Sequence, residues 1–103
     1  MTPNENRRWT LNRILAVLRV HYPDWTTDAK LQTELKDEGE PLVEDDLREH
    51  LHFLRDWPRK GEGYVELQKI TRGGREVKQC RITPLGMLLV ERHVPADPQI
   101  AEF

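Results

Sequence analysis

The sequence has little cysteine, no long hydrophobic run and almost no net charge. Its single cysteine, Cys80, cannot form an intrachain disulfide, which favours a reducing, cytoplasmic environment. The longest apolar run, Ile14 to Leu18, is far shorter than the roughly 20 residues that span a bilayer, so we expect no membrane segment. The arginines Arg7 and Arg8 have no apolar block behind them, which argues against a signal peptide.

Motifs of catalysis and metal binding are also missing. The sequence has no phosphate-binding glycine loop, no cysteine pair and no spacing that supports a Ser/His/Asp group. His50 and His52 would diverge on a helix, and Asp46 with His50 is better explained as a side-chain contact than as a metal pair. We therefore expect no enzyme activity, no cofactor and no metal site.

What is present is enough for one small domain. The chain has 103 residues, of which 37% are hydrophobic and 33% are charged, and this supports a single modest core. The periodic part of the sequence is residues 9–94, which we expect to form that domain. Residues 1–8 are expected to be a flexible N-terminus, and residues 95–103 a frayed tail.

Apolar residues spaced three and four apart predict four amphipathic helices. Thr10, Thr27 and Thr83 are candidate N-caps, with Thr26 an alternative to Thr27, and Gly39 is a good terminator of the second helix. The apolar side of the last helix is Leu85, Leu88 and Leu89. The four helices are expected at residues 9–22, 27–39, 43–57 and 84–94.

Between the third and fourth helices the pattern changes to that of a β-hairpin. Two strands, Tyr64–Ile70 and Glu76–Thr83, surround a Gly73-Gly74 turn, which allows the positive φ angles of a two-residue loop. Centring the turn there fixes the register and buries Val65, Leu67, Cys80 and Ile82. The expected pairs are Arg72 with Arg75, Ile70 with Val77, Lys69 with Lys78, Gln68 with Gln79, Leu67 with Cys80, Glu66 with Arg81, and Val65 with Ile82.

The resulting α+β order, three helices, a hairpin and a helix, resembles the winged helix-turn-helix superfamily of bacterial and phage repressors. Residues 80–86, Cys-Arg-Ile-Thr-Pro-Leu-Gly, look like the strand, Thr-Pro-x-Gly and helix ending of many of these proteins. The core of the family is matched by Leu31, Leu35, Gly39, Leu47, Leu51 and Leu54. The resemblance implies that the third helix enters the DNA major groove and that the hairpin, the wing, contacts the DNA backbone.

Charge is divided along the chain, with carboxylates in excess over residues 24–57 and cations over residues 58–93. Opposed like charges destabilise a hairpin, and the wing has two such pairs near its turn. They can mark a solvated end that discourages aggregation, or a phosphate clamp whose glycines let the backbone approach DNA. We favour the clamp, formed by Lys69, Arg72, Gly73, Gly74, Arg75 and Lys78, with Thr27 and Lys30 holding a further phosphate.

The third helix is ambiguous because its outward stripe is acidic. Carboxylates can accept from cytosine and arginines can read guanine, but charge pairs on a solvated face explain the stripe equally well. The residues expected to face bases are Asp45, Arg48, Glu49, His52 and Arg55. We predict a double-stranded DNA-binding transcription regulator, and helices 1 and 4 are the candidate surfaces if it forms a homodimer. The alternative is a protein-interaction module whose acidic third helix binds a basic protein.

Overall fold

The computed structural model describes residues 3–103, and over this range the chain forms four helices and one three-stranded antiparallel sheet. The predicted α+β class is confirmed. None of the helices in this range is long and apolar enough to cross a membrane. In chain order the elements are α1 (Pro3–His21), β1 (Thr26–Thr27), α2 (Asp28–Asp37), α3 (Glu44–Asp56), β2 (Val65–Arg72), β3 (Arg75–Ile82) and α4 (Pro84–Val90).

Helix α1 begins at Pro3 rather than at Trp9, so residues 4–8 are helical and the expected flexible start is wrong there. The part of that prediction that concerns residues 1 and 2 lies outside the described residues. No apolar period marks these residues, but Glu5 in the first turn suits the positive end of the helix dipole. Thr10 lies inside the helix and is not its N-cap. Its hydroxyl donates to the Glu40 carboxylate, 2.5 Å away, and so ties α1 to the segment after α2.

The other two predicted N-caps are confirmed. The Thr27 hydroxyl accepts from the backbone N–H of Lys30 at 3.1 Å, and the Thr83 hydroxyl accepts from that of Gly86 at 3.0 Å. A Cβ on Gly86 would lie 2.4 Å from the Tyr64 carbonyl oxygen, so this glycine is needed for α4 to pack on the start of β2. These caps fix the points at which α2 and α4 leave the sheet.

The hairpin has the predicted register. Strands β2 and β3 pair from Val65 with Ile82 to Arg72 with Arg75, and Gly73 and Gly74 have φ angles of 58° and 75°. Strand β1 was not predicted because two residues are too short to show a period. It pairs with β3 opposite Cys80 and Gln79, which makes β3 the central strand of the sheet.

The core lies between the three long helices and the inner face of the sheet. Leu67, predicted to be buried, is half-buried and packs on this core. Leu88, predicted on the apolar side of the last helix, is exposed. The fully buried side chains are Leu11, Ile14, Leu15, Leu18, Leu31, Leu35, Leu47, Leu51, Leu54, Val65, Cys80, Ile82 and Ile100.

The C-terminal tail packs against the domain, so the prediction that it frays is wrong. Ile100 is only 1% exposed, and the side-chain amide of Asn12 donates to the Ala101 carbonyl at 2.9 Å. The Asp97 carboxylate accepts from Trp57 Nε1 and from the Tyr64 hydroxyl, each at 2.6 Å. These partners are far from the tail in sequence, and no local pattern could reveal them.

Candidate nucleic-acid interface

The end of the hairpin is a concentration of cations, of which Lys78 is half-buried and the other three are exposed. We call Lys69, Arg72, Gly73, Gly74, Arg75 and Lys78 the hairpin tip. The side chains of Arg72 and Arg75 are exposed on directly opposed residues. Along residues 3–103, neither of them nor Lys78 forms an ion pair, and Lys69 is only 3.9 Å from the exposed Glu76 carboxylate. The expected repulsion at the tip is therefore present and largely uncompensated.

The turn leaves the backbone of the tip open. Gly73 and Gly74 are exposed, and a Cβ on either would meet nothing within 4 Å. Their positive φ angles, rather than crowding, are the reason that glycine suits both positions. An anion can therefore approach the main-chain amides without side chains in the way.

On the sheet face that carries Arg72 and Arg75, the charges farther from the tip are neutralised. Arg81 lies over the Trp25 ring, 4.3 Å from its centroid, and its guanidinium donates to the Glu66 carboxylate at 2.9 and 3.1 Å. The side chains of Gln68 and Gln79 are hydrogen-bonded to each other. The unpaired positive charge of the hairpin is thus confined to the hairpin tip.

The start of α2 lies beside the hairpin because Thr27 of β1 pairs with Gln79 of β3. At roughly 3.4 Å per residue, Gln79 lies about 14 Å along β3 from Arg75. The Thr27 hydroxyl is already engaged as the N-cap, whereas Lys30 is exposed and forms no ion pair within residues 3–103. Of the two residues expected to hold a phosphate here, only Lys30 has its polar group unoccupied.

Arg48 does not face outward from α3 as predicted. Its guanidinium donates to the Asp28 carboxylate at 2.7 Å, and the two side chains are only 15% and 11% exposed. A carboxylate buried at the start of α2 needs a counter-charge, and Arg48 supplies it from the facing helix. Burial, with Asp28 close by, also raises the pKa of the Cys80 thiol. Arg48 therefore links α3 to α2 and is not available to read a base.

The other predicted base-facing residues divide into two groups. Arg55 donates to both oxygens of the neighbouring Asp56, and this hydrogen bonding lowers the pKa of that carboxyl. Partial burial, with Arg55 and Arg48 nearby, lowers the pKa of His52, which therefore stays neutral at pH 7. Asp45 and Glu49 are exposed and make no ion pair in the described part of the chain. The outward surface of α3 is consequently acidic, with no unpaired arginine.

The carboxylates at the start of α3 have a structural role. The N-cap residue is Val43, whose side chain makes no capping hydrogen bond. Glu44, Asp45 and Asp46 occupy the first turn, where negative charge interacts favourably with the unpaired amides and the helix dipole. These three carboxylates therefore stabilise their own helix, whatever else they contact.

Several side-chain contacts could not be found from the sequence. Phe53 and Trp57 stack with their centroids 5.7 Å apart, and the Arg7 guanidinium lies 4.7 Å from the centre of the Phe53 ring. Spacing along α3 puts Phe53 and Trp57 on one face of the helix, but it does not show what else they contact. No group of three or more His, Cys, Asp or Glu residues within residues 3–103 could hold a metal ion.

Comparison with known proteins found no relative: no protein-family model matches the sequence, and neither does any curated protein. The fold and the charged surfaces described above are therefore the basis for inferring a function.

Proposed function

We propose that the chain is a winged helix-turn-helix module that binds double-stranded DNA and acts as a bacterial or phage-type transcription regulator. The observation that carries this proposal is the hairpin tip, where Arg72 and Arg75 are opposed, exposed and without a counter-ion among residues 3–103. Folding brings these like charges together at some cost in stability. Phosphate groups of DNA would remove that repulsion on binding.

In the proposed complex, the hairpin is the wing and holds the DNA backbone. Arg72, at the end of β2, and Arg75, at the start of β3, contact DNA phosphates. The open backbone at Gly73 and Gly74 allows the DNA to approach closely. Lys30, exposed at the start of α2, supports a second contact. Because the arginines of α3 are paired with carboxylates, most of the binding energy is assigned to phosphate contacts.

Salt dependence tests this assignment. Each phosphate neutralised by a cation contributes about 0.9 to the slope of log K against log salt concentration. The variant Arg72→Ala/Arg75→Ala should bind a fluorescently labelled duplex more weakly, with a slope smaller in magnitude by about 1.8. Its stability should be unchanged or slightly higher, because a repulsive pair is lost.

The matched control is Arg59→Ala/Lys60→Ala, which removes the same charge from the exposed loop between α3 and β2, at the other end of the hairpin. This variant should keep the salt slope of the wild type. Equal slopes for all three proteins, or no binding of duplex by the wild type, would overturn the proposal.

A second candidate function is the binding of a basic protein by α3. The observation that favours it is the pair Asp45 and Glu49, which are exposed and lack ion pairs within residues 3–103. The variant Asp45→Asn/Glu49→Gln distinguishes the two functions. If the chain binds DNA, neutralising these carboxylates should strengthen duplex binding by reducing repulsion. If α3 binds a protein, a partner captured from nuclease-treated lysate by the wild type should be lost.

A further inference from the structure

His52 lies at the end of a chain of hydrogen bonds that begins at a buried carboxylate. Asp28, at the start of α2, accepts from Arg48 Nη1 at 2.7 Å, and Arg48 Nη2 lies 3.3 Å from His52 Nε2. The Asp28 and Arg48 side chains are both largely buried. Because the guanidinium is a rigid, planar fork, the contact of one nitrogen with Asp28 fixes the direction of the other nitrogen towards His52.

The contact with Arg48 determines which ring nitrogen of His52 carries the hydrogen. A guanidinium has donors and no acceptor, so His52 Nε2 is the acceptor in this contact. The imidazole is neutral at pH 7, because partial burial and the nearby arginines lower its pKa. A neutral imidazole whose Nε2 accepts a hydrogen bond carries its hydrogen on Nδ1. His52 can therefore donate through Nδ1.

The Nδ1 atom of His52 is available to a ligand. It has no hydrogen-bond partner within residues 3–103, and none of the buried, unpaired polar atoms of this range belongs to His52, so Nδ1 reaches solvent. The outward stripe of α3 consists of His52 and three carboxylates, Asp45, Glu49 and Asp56. Ionised carboxylates only accept hydrogen bonds. On this stripe, the His52 Nδ1–H is therefore the side-chain donor.

His50, on the same helix, uses its Nδ1 differently. This nitrogen lies 2.6 Å from the Asp46 carbonyl oxygen, and because a carbonyl only accepts, the His50 Nδ1–H is the donor. The donor of His50 is thus occupied within α3. Side chains two positions apart on a helix also do not face the same way. His50 is therefore a matched control for His52, since it is a second histidine of α3 with its Nδ1–H already bound.

We propose that His52 is a specificity-determining residue whose Nδ1–H donates to an acceptor on a base edge in the DNA major groove, and that Arg48 is its positioning residue. This inference rests on the proposed DNA-binding function and adds a means of selecting a sequence. The acceptors in the major groove are guanine N7 and O6, adenine N7 and thymine O4. Contacts of the hairpin tip with phosphates carry no such sequence information.

Selection of duplexes from a random pool tests the role of His52. The wild type should enrich a sequence in which one base pair is preferred about fivefold less by His52→Phe, because one hydrogen bond is lost. His50→Phe should keep the wild-type preference. Since His52 is neutral, His52→Phe should also keep the wild-type salt slope. A deazapurine that lacks N7, placed at the affected base pair, then distinguishes N7 from the oxygen acceptors.

The outcomes separate this inference from the proposed function. If the wild type and His52→Phe enrich the same sequence with the same preference, or if the wild type binds duplexes without any preference, the role of His52 is overturned. The salt slope of Arg72→Ala/Arg75→Ala would still report on the hairpin tip in either case. A wild type that binds no duplex would overturn both proposals.

NMR spectra that correlate the ring protons of His52 with its nitrogens test the positioning by Arg48 without DNA. In the wild type the hydrogen should be on Nδ1. Arg48→Lys keeps a counter-charge for Asp28 but has a single donor nitrogen, so His52 Nε2 loses its donor and part of the hydrogen should move to it. The same variant should lose the base preference that His52→Phe loses. A wild-type His52 with its hydrogen on Nε2, or an unaltered spectrum in Arg48→Lys, would contradict the positioning.

Discussion

The hairpin tip and helix α3 both carry arginines at positions where a winged-helix protein would contact DNA. The two regions differ in whether these arginines are paired with carboxylates. On α3, Arg48 and Arg55 both donate to carboxylates, and three acids compensate for a missing N-cap. At the hairpin tip, Arg72 and Arg75 have no counter-ion within residues 3–103. A charged residue at the expected position is therefore informative only once its partners are known. This difference makes the hairpin, rather than the helix, the stronger candidate for contact with DNA.

The largest expected effect is on the Arg48–Asp28 pair. Arg48→Met leaves the Asp28 carboxylate buried without its counter-charge, and we expect the free energy of unfolding in urea to fall by about 3 kcal/mol. Arg55→Met is the control, because its pair with Asp56 is more exposed and should be worth less than about 1 kcal/mol. If both variants lost similarly little unfolding free energy, Arg48 would again be a candidate for contact with bases.

The second effect concerns Asp97, which holds the C-terminal tail against the end of α3. Asp97→Ala removes the acceptor for Trp57 Nε1 and the Tyr64 hydroxyl, leaving two partly or fully buried donors unpaired. We expect a loss of about 2 kcal/mol in unfolding free energy and faster proteolysis of the tail. Asp24→Ala, at an exposed site, is the control. Unchanged stability would show that the tail contributes little to holding α3.

A smaller effect tests whether the acids of α3 act on the helix itself. Val43→Ser supplies the absent capping hydroxyl and should raise the unfolding free energy by about 1 kcal/mol, whereas Val43→Ala should not. In the capped variant, Asp45→Asn should cost less stability than in the wild type, because one of the first-turn amides is now satisfied. If Asp45→Asn lowered the stability equally in both backgrounds, Asp45 would not be compensating for the missing cap.

The smallest effect is the pH dependence that His52 contributes. Its pKa in the folded protein lies below 6.5, the value of the unfolded chain, because partial burial and the nearby arginines disfavour the charged form. As pH falls from 6.5 towards the folded-state pKa, the unfolded chain takes up the proton first, so stability decreases. His52→Gln should reduce this decrease in thermal unfolding scans, with the exposed His93→Gln as control. An unaltered pH profile would mean that His52 does not titrate differently on folding.

The parts of the fold predicted from sequence are those with local signals. Thr27 and Thr83 cap their helices through residues three positions away, and the paired glycines set the register of the whole hairpin. Strand β1 was missed because it is too short, and the start of α1 because residues 4–8 have no apolar period.

The candidate site was predicted less well, because residues far away in the sequence decide which of its charged side chains are paired. Arg48 pairs with a carboxylate 20 residues earlier, and Trp57 with one 40 residues later. Spacing along α3 shows which side chains share a face, but it cannot show which of them another element neutralises. The cations of the hairpin tip were predicted correctly as a group on opposed residues, because a two-residue turn fixes their placement.

We propose that the hairpin tip, and not α3, makes the main contact with DNA. The most direct test is to titrate an isotopically labelled sample with a short duplex and follow the backbone amide resonances by NMR. We expect the largest chemical-shift changes at Arg72, Gly73, Gly74 and Arg75, with smaller changes near Lys30. Changes concentrated on residues 44–56 while the hairpin resonances stay fixed would contradict it.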